Sequence, residues 1–341
     1  MKLCITGGGT GGHLAIAKSL AQAAAKQGIE CIYIGSVSGQ DRKYFEHSKL
    51  FSKTFFLDTT GVVNKKGFGK LKALYKVVKA LLISLAILKK ERVDAVFSVG
   101  GFSAAPASFA AVILGIPLFI HEQNAKTGRL NKILKKYAKA FFCSYDKDSP
   151  VTSYPVSETF FEKSRKRDKI DTIIFLGGSQ GAKAINDLAI SVAKKLQERG
   201  IHIIHQTGEK EYERVKKAYE QLGVDAEIYA FSDKLDELMK RADLAISRAG
   251  ASTLWELTAN ALPALFIPYP YAAGDHQFHN AQYLVKNNLA WLKREDENPK
   301  ELLLQIIDEN LAKKSEALKK LLHKGAAEEI LAYIVKEVQR R

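Results

Sequence analysis

The chain has 341 residues, more than a single hydrophobic core comfortably holds, so two domains are expected. Its 46% hydrophobic and 26% charged residues are those of a folded globular protein and exclude a disordered chain. Cys4, Cys31 and Cys143 are scattered without a CxxC, which excludes a disulfide framework and a cysteine zinc site and fits a reducing cytosol. Met1 to Thr6 runs straight into a strand and a Gly loop, so no signal peptide is expected. The longest uninterrupted apolar stretch, near Ala80 to Leu88, is far short of the roughly 20 residues that cross a bilayer. The formal charge of +15 is uneven: residues 1–155 carry 23 Lys/Arg against 9 Asp/Glu, residues 156–341 carry 29 against 28. An anionic partner is therefore expected for the first half alone, whether membrane surface, nucleic acid or phosphorylated substrate.

Lys2 to Thr6 reads as a buried strand, followed by Gly7-Gly8-Gly9-Thr10-Gly11-Gly12-His13 and a helix from about Leu14 to Gln27. Such glycines let backbone approach a phosphate at a helix N-terminus. The loop satisfies GxGxxG, but the second strand, Cys31 to Ile34, ends in Gly35-Ser36 without the carboxylate a dinucleotide site wants. His13 reads equally as a neighbour of the helix cap or as a general base facing a ligand.

Between Gly61 and Lys90, Leu71, Leu74, Val78, Leu81, Leu85 and Leu88 recur at helical spacing, with Lys72, Lys76 and Lys79 on another face. This predicts a core-packed helix with solvated lysines. Just upstream, Val62, Val63 and Phe68 among Lys65, Lys66 and Lys70 suit contact with anionic lipid. Nucleic acid is disfavoured, because the lysines are not interleaved with stacking aromatics.

Asp94 to Val99 is the next strand, opening into Gly100-Gly101-Phe102-Ser103; Pro117 to His121 follows and ends in His121-Glu122-Gln123-Asn124. Polar groups at the carboxyl end of a parallel strand either cap the loop or meet ligand. Asp146-Lys147-Asp148 matches DxD but reads as a surface loop, and Ser149 to Lys169 reads as the interdomain linker.

The pattern then restarts. Thr172 to Leu176, Gly177-Gly178-Ser179-Gln180-Gly181-Ala182 and a helix to about Arg199 form a second strand–Gly loop–helix unit. Two such units imply two similar α/β domains. The loop also matches GxSxG, which would make Ser179 a hydrolase nucleophile with Asp275 and His276 or His279; a phosphate-binding hydroxyl is the other reading. Further strands are Ile201 to Gln206 and Glu227 to Ala230, separated by a helix at Lys210 to Leu222.

The last motif-dense stretch is Arg248 to Ala281. A strand at Leu244 to Ile246 feeds the turn Arg248-Ala249-Gly250-Ala251 and a helix, Ser252 to Asn260, carrying Glu256 one turn in. A carboxylate there can accept hydrogen bonds from vicinal sugar hydroxyls. Leu265 to Ile267 and the loop Gly274-Asp275-His276-Gln277 follow, and together they outline a nucleotide-sugar pocket. Pro299 to Lys324 reads as charged surface helices and Ala326 to Arg341 as an amphipathic helix.

The motifs GGGTGGH, GGFSAAP (Gly100 to Pro106), HEQN, GGSQGA, RAGASTLWE, LPALFIPYP (Leu262 to Pro270) and DHQFHNA, in this order and over most of the chain, resemble the bacterial MurG family. These are inverting glycosyltransferases of the α/β GT-B fold, two Rossmann-like domains with parallel sheets facing across a cleft. The resemblance implies transfer of N-acetylglucosamine (GlcNAc) from UDP-GlcNAc to the MurNAc 4-hydroxyl of lipid I, giving lipid II for peptidoglycan.

It implies an acceptor and membrane-associated domain at 1–155, a UDP-GlcNAc domain at 156–325, and a helix at 326–341 returning to the first domain. His13 becomes the general base, with Glu122 the alternative. Thr10, Gly11, Gly12, Asn124, Ser179, Ala251, Ser252, Thr253, Glu256 and Gln277 would meet UDP-GlcNAc; Gly9, Gly101, Phe102 and His121 would meet the acceptor. No cofactor or metal is implied, and the location would be peripheral, at the cytoplasmic face of the bacterial inner membrane.

Two positions depart from the family pattern. Ile16 stands where the family has proline, and Ser157 where its interdomain arginine lies, for which Arg165 or Arg167 would be the nearest replacement. Other classes compatible with the motifs are a non-catalytic nucleotide-sugar or lipid-binding protein, a nicotinamide-dependent oxidoreductase and a serine hydrolase.

Overall fold

The computed structural model describes residues 1–61, 68–178 and 181–340, with side chains from residue 71 onward in the helix that follows the first gap. The chain divides into two compact units, Met1–Val156 with Gly325–Arg341, and Ser157–Lys324.

In the first unit the strands are β1 (Lys2–Thr6), β2 (Glu30–Ser36), β3 (Lys53–Leu57), β4 (Ala95–Ser98), β5 (Leu118–Glu122) and β6 (Ala140–Cys143). They form a parallel sheet in the order β3-β2-β1-β4-β5-β6, with Leu3 opposite both Cys31 and Ala95. Continuous apolar runs such as Leu3-Cys4-Ile5 are what a parallel strand buried on both faces requires. Helices α1 (Gly11–Lys26), α2 (Asp41–Phe45), α3 (Phe68–Lys90), α4 (Ala105–Leu114) and α5 (Arg129–Leu134) make the connections. Ile16 is buried on the core side of α1, so the missing family proline leaves the helix regular. At its end, Gly28 takes a left-handed φ of 66° while Ile29 N–H bonds Ala24 C=O and Gly28 N–H bonds Ala25 C=O, a Schellman stop.

The helix α3 follows its expected stripe only in its second half, where Leu81, Leu85 and Leu88 pack on the core. Its packed face is Ala73, Ala80, Ser84 and Leu88, and it lies against α4. Small residues let the two helices approach, and this turns Leu71, Leu74, Tyr75 and Leu82 outward at 64%, 52%, 68% and 61% exposure. The basic segment upstream, with Val62, Val63, Lys65 and Lys66, lies outside the described residues, and so do the side chains of Phe68 and Lys70.

The C-terminal helix, Ala326–Gln339, belongs to this first unit. It packs on α1, with Lys26 Nζ 2.9 Å from Glu328 Oε1, and sets the Tyr333 ring edge-on to Phe142.

The second unit repeats the plan. Its strands β7 (Thr172–Leu176), β8 (His202–Gln206), β9 (Glu227–Tyr229), β10 (Leu244–Ser247), β11 (Ala264–Phe266) and β12 (Trp291–Leu292) run parallel in the order β12-β11-β10-β7-β8-β9. The helices are α6 (Glu158–Glu162), α7 (Lys183–Glu198), α8 (Tyr212–Leu222), α9 (Leu235–Arg241), α10 (Ala251–Ala259), α11 (His276–Lys286), α12 (Pro299–Ile306) and α13 (Ala312–Leu321). The segment read as charged surface helices is amphipathic instead: Leu303, Ile306 and Leu311 enter the core with Ile173, Phe175 and Leu265.

Arg165 and Arg167 sit at the amino edge of this sheet. The Arg165 guanidinium binds the Lys240, Arg241 and Ala242 carbonyls at the end of α9 and pairs with Asp243 at 2.6 Å. Arg167 is fully buried and donates to the carbonyls of Arg165, Met239, Ala242 and Asn260 and to the Asn260 side chain. Burial, with Arg165 beside it, lowers its pKa to about 9. Neither arginine reaches the opposite, carboxyl edge, so neither replaces the arginine missing at position 157. Arg167→Leu, which strands those acceptors without donors, is expected to cost about 3 kcal/mol, read as a lower urea midpoint at unchanged m-value.

Candidate functional site

In each sheet the strand order reverses once, between β1 and β4 and between β7 and β10, and ligands of open α/β sheets bind at that switch point. In the first unit both flanking loops are glycine loops and they interlock. Gly8 N–H bonds Gly100 C=O at 3.1 Å. A Cβ on Gly7 would lie 2.3 Å from the Gly100 oxygen, and one on Gly101 would lie 2.3 Å from the Gly8 oxygen. The Phe102 ring lies where a Gly9 side chain would be, at 2.7 Å.

From this platform α1 starts at Gly11, and Thr10, its N-cap, makes no side-chain cap. The Thr10 hydroxyl instead lies 2.9 Å from His13 Nδ1. The Gln123 amide nitrogen lies 3.0 Å from Nε2 and 3.2 Å from Nδ1. With the imidazole proton assigned to Nδ1, the hydroxyl accepts it and Nε2 is left as the acceptor, the tautomer a general base needs.

The other polar residues of this edge are committed differently. Glu122 is buried, and its carboxylate accepts from Asn124 N–H, Asn124 Nδ2, Gly128 N–H and Asn131 Nδ2. It holds the loop from residue 122 to 131 closed. His121 is buried against the Tyr154 ring, and desolvation, with His13 adding to it, lowers its pKa to about 3. It is a neutral side chain inside the unit rather than a group displayed at its surface.

In the second unit the switch point is flanked, among the described residues, by 177–178, 181–182 and 248–250. The helices α7 and α10 both begin there without a side-chain cap, at Ala182 and Gly250. Their first-turn N–H groups, including those of Ala251, Ser252 and Thr253, are the orphan donors that bind anions at helix N-termini. Gly177 has no room for a side chain, because the Gln206 and Thr207 carbonyls and Asn186 crowd its Cβ position at 3.0–3.1 Å. Asn186 is itself fixed by buried His205 at 3.0 Å, and His205 by the Tyr219 hydroxyl at 2.9 Å.

One turn into α10, Glu256 Oε1 accepts from the Ser252 hydroxyl at 2.7 Å. Burial pushes the Glu256 carboxyl above the ordinary range, and the Ser252 bond opposes that shift. Gln277 Oε1 accepts from Tyr269 N–H at 2.9 Å, tying the head of α11 to the loop after β11.

Several sequence readings find no partner in this geometry. Asp275 pairs with Arg294 at 2.7 Å and His276 Nδ1 lies 2.8 Å from the Ala273 carbonyl, so neither is arranged as part of a hydrolase triad. Ser179 lies outside the described residues. Asp146 accepts from Asp148 N–H as a turn residue, and among the described residues no His, Cys, Asp and Glu group could hold a metal ion. Beyond β2, the nearby carboxylate is Asp41, fully buried and bonded to backbone N–H groups of Gly9 and Ser36, not displayed to a ribose. No strand-end signal could have found Asp41, which lies five residues past β2.

Known proteins match along the whole chain. Residues 3–143 match the glycosyltransferase family 28 N-terminal domain and residues 172–336 the glycosyltransferase family 28 C-terminal domain. A Sulfurimonas denitrificans protein named UDP-N-acetylglucosamine--N-acetylmuramyl-(pentapeptide) pyrophosphoryl-undecaprenol N-acetylglucosamine transferase is 59% identical over 98% of both chains. A Nitratiruptor protein of the same name is 50% identical over the full length of both. The crystal structure of Acinetobacter baumannii MurG is similar with a TM-score of 0.80 at 26% identity, covering 100% of this chain and 99% of that one. With its two six-stranded parallel sheets of GT-B type, the chain belongs to glycosyltransferase family 28, in its MurG group.

Proposed function

We propose that this chain transfers GlcNAc from UDP-GlcNAc to the muramyl-pentapeptide of an undecaprenyl-diphosphate lipid, lipid I, to form lipid II for peptidoglycan. The observation that carries the reading is the 59% identity, over 98% of both chains, to a transferase of that name. The geometry suits it. Transfer with inversion needs a base for the attacking hydroxyl and electrostatic stabilisation of the departing diphosphate. His13 takes the proton. Glu122 does not, because four hydrogen bonds already engage its carboxylate.

The uncapped starts of α7 and α10, with Ser179 in the first of these loops, bind the diphosphate. Glu256 accepts from the ribose hydroxyls and Gln277 meets the GlcNAc. In the first unit Thr10, Gly11, Gly12 and Asn124 contribute to the sugar, while Gly9, Gly101 and Phe102 form the floor under the acceptor.

The lipid acceptor requires the enzyme to work at a membrane, and no helix among the described residues is long and apolar enough to cross one. The outward face of α3 carries exposed Lys72 and Lys79 beside its exposed apolar residues, and α4 and α5 expose Ile113 and Ile133, the latter flanked in sequence by exposed Lys132 and followed by exposed Lys136. Exposed apolar side chains set among lysines bind an anionic bilayer surface. This extends the contact region from the segment at residues 62–70 onto the helix behind it. It also gives the strongly positive first half its partner.

Three outcomes test the reading. Labelled GlcNAc should pass from UDP-GlcNAc to a short-chain lipid I analogue, and His13→Ala should lower kcat by about 10²-fold or more while UDP-GlcNAc still binds. Unchanged turnover removes His13 as base, and binding without transfer in the unmutated chain selects a silent nucleotide-sugar protein. Because its carboxyl is raised, Glu256 loses its charge at a higher pH than the usual value of about 4.3, so the KM for UDP-GlcNAc should climb as pH falls through that range. Glu256→Gln should flatten this rise; a wild-type-like profile in the variant takes Glu256 out of the site. Finally, Leu74→Glu with Leu82→Glu should weaken sedimentation with phosphatidylglycerol vesicles about tenfold or more. Full retention would place the membrane contact elsewhere.

A further inference from the structure

Beneath the Gly7–Gly12 loop lies a carboxylate that the reaction as described does not use. Asp41 is fully buried at the start of α2. One oxygen accepts from Gly9 N–H and the other from Ser36 N–H at 2.9 Å, so a single side chain ties the loop after β1 to the end of β2. The surroundings are shaped to admit it: a Cβ on Gly8 would fall 2.5 Å from Asp41 Oδ1, and one on Gly35 would fall 2.9 Å from Oδ2. Tyr33 adds a second tie from the same side, donating to the Gly7 carbonyl at 2.8 Å. Gly39, just before α2, passes with its Cβ position 3.0 Å from the Gly9 Cα.

We infer that Asp41 is a positioning residue for GlcNAc transfer, acting on His13 through Gly9 and Thr10. The inference rests on the reading of His13 as the base. Gly9 has a left-handed φ of 84°, a conformation with many alternatives for glycine, and the Asp41 bond to its N–H selects one of them. The next residue is Thr10, whose hydroxyl lies 2.9 Å from His13 Nδ1. Fixing Gly9 therefore fixes the acceptor that holds the imidazole proton, and with it the direction in which Nε2 presents its lone pair. A charged acceptor makes the stronger bond to a backbone N–H, and its full burial leaves water unable to substitute for it. Of the ionisable groups of β5, His121 stays neutral across the relevant pH range and the Glu122 carboxylate is engaged by Asn124, Gly128 and Asn131, so neither supplies this orientation.

The test compares Asp41→Asn, which keeps the shape but offers one acceptor oxygen in place of two, with Thr10→Val, which leaves the buried site intact and removes the last link. Asp41→Asn should lower kcat about tenfold or more with the KM for UDP-GlcNAc within about twofold. In both variants the acid limb of kcat/KM should move to lower pH, because the imidazolium loses a hydrogen-bond acceptor. The double variant should be no worse than the poorer single one, since both break the same chain of contacts.

Unchanged kcat and an unmoved acid limb in both variants overturn the inference. So does a parallel fall of kcat and UDP-GlcNAc affinity, which marks a carboxylate that merely stabilises the fold. Should Asp41→Asn fail to fold, Thr10→Val alone decides through the same limb. If the unmutated chain shows no transfer, the proposed function fails first, and Asp41 is judged by NMR titration of His13 with exposed His47 as the reference. A His13 titration identical in the wild type and the two variants then rejects the role.

Discussion

The carbonyl oxygens of Gly8 and Gly100 occupy the places where side chains on Gly101 and Gly7 would stand. That mutual exclusion brings two strand-end loops into backbone contact at the switch point of the first sheet, and the edge beyond depends on it. α1 starts where the first loop leaves the contact, so the direction of its first turn, and of His13 on it, is inherited from glycine packing. The second sheet solves the same problem with different neighbours. There Gly177 is pressed between the Gln206 and Thr207 carbonyls and Asn186, and a buried neutral histidine, lowered to a pKa of about 3, holds the asparagine. One architecture occurs twice with two chemistries: an oriented imidazole at one switch point, bare helix starts and a raised carboxyl at the other.

Much of this was legible in the sequence, because the informative signals are local. A buried parallel strand is a short apolar run, a tight strand-to-helix turn needs glycine, and both are visible within ten residues around Lys2–His13, Thr172–Ala182 and Leu244–Glu256. The strands that pattern reading passed over are β3, β6 and β12, of five, four and two residues. All three are outermost strands of a sheet, and such pairings are specified by the neighbour rather than by their own periodicity.

The misread amino-terminal half of the α3 stripe has a related cause. Leu71, Leu74 and Val78 form a good helical stripe, but only tertiary packing tells whether a stripe or its small-residue flank meets the next helix. Roles were harder to read than positions. Glu122 stands as an alternative to His13 until Asn124, Gly128 and Asn131 are seen converging on it. The reach of Asp41 back to Gly9 spans 32 residues, a separation at which no local signal operates.

The return of the C-terminal helix to the first unit carries a consequence for synthesis on the ribosome. Ile330, Leu331 and Ile334 cover a face of the first unit, yet they follow the whole of the second unit in the chain. At elongation rates of about 5–20 residues per second, that face waits on the order of ten seconds or more after residue 156 emerges. During this interval the second unit, continuous from Ser157 to Lys324, can complete its core while its partner remains unfinished. The nascent chain therefore passes through a state in which its lysine-rich first unit still lacks its last helix while the second unit is finished. For a polypeptide with this topology, closure of the first unit waits on residues made after the whole of the second.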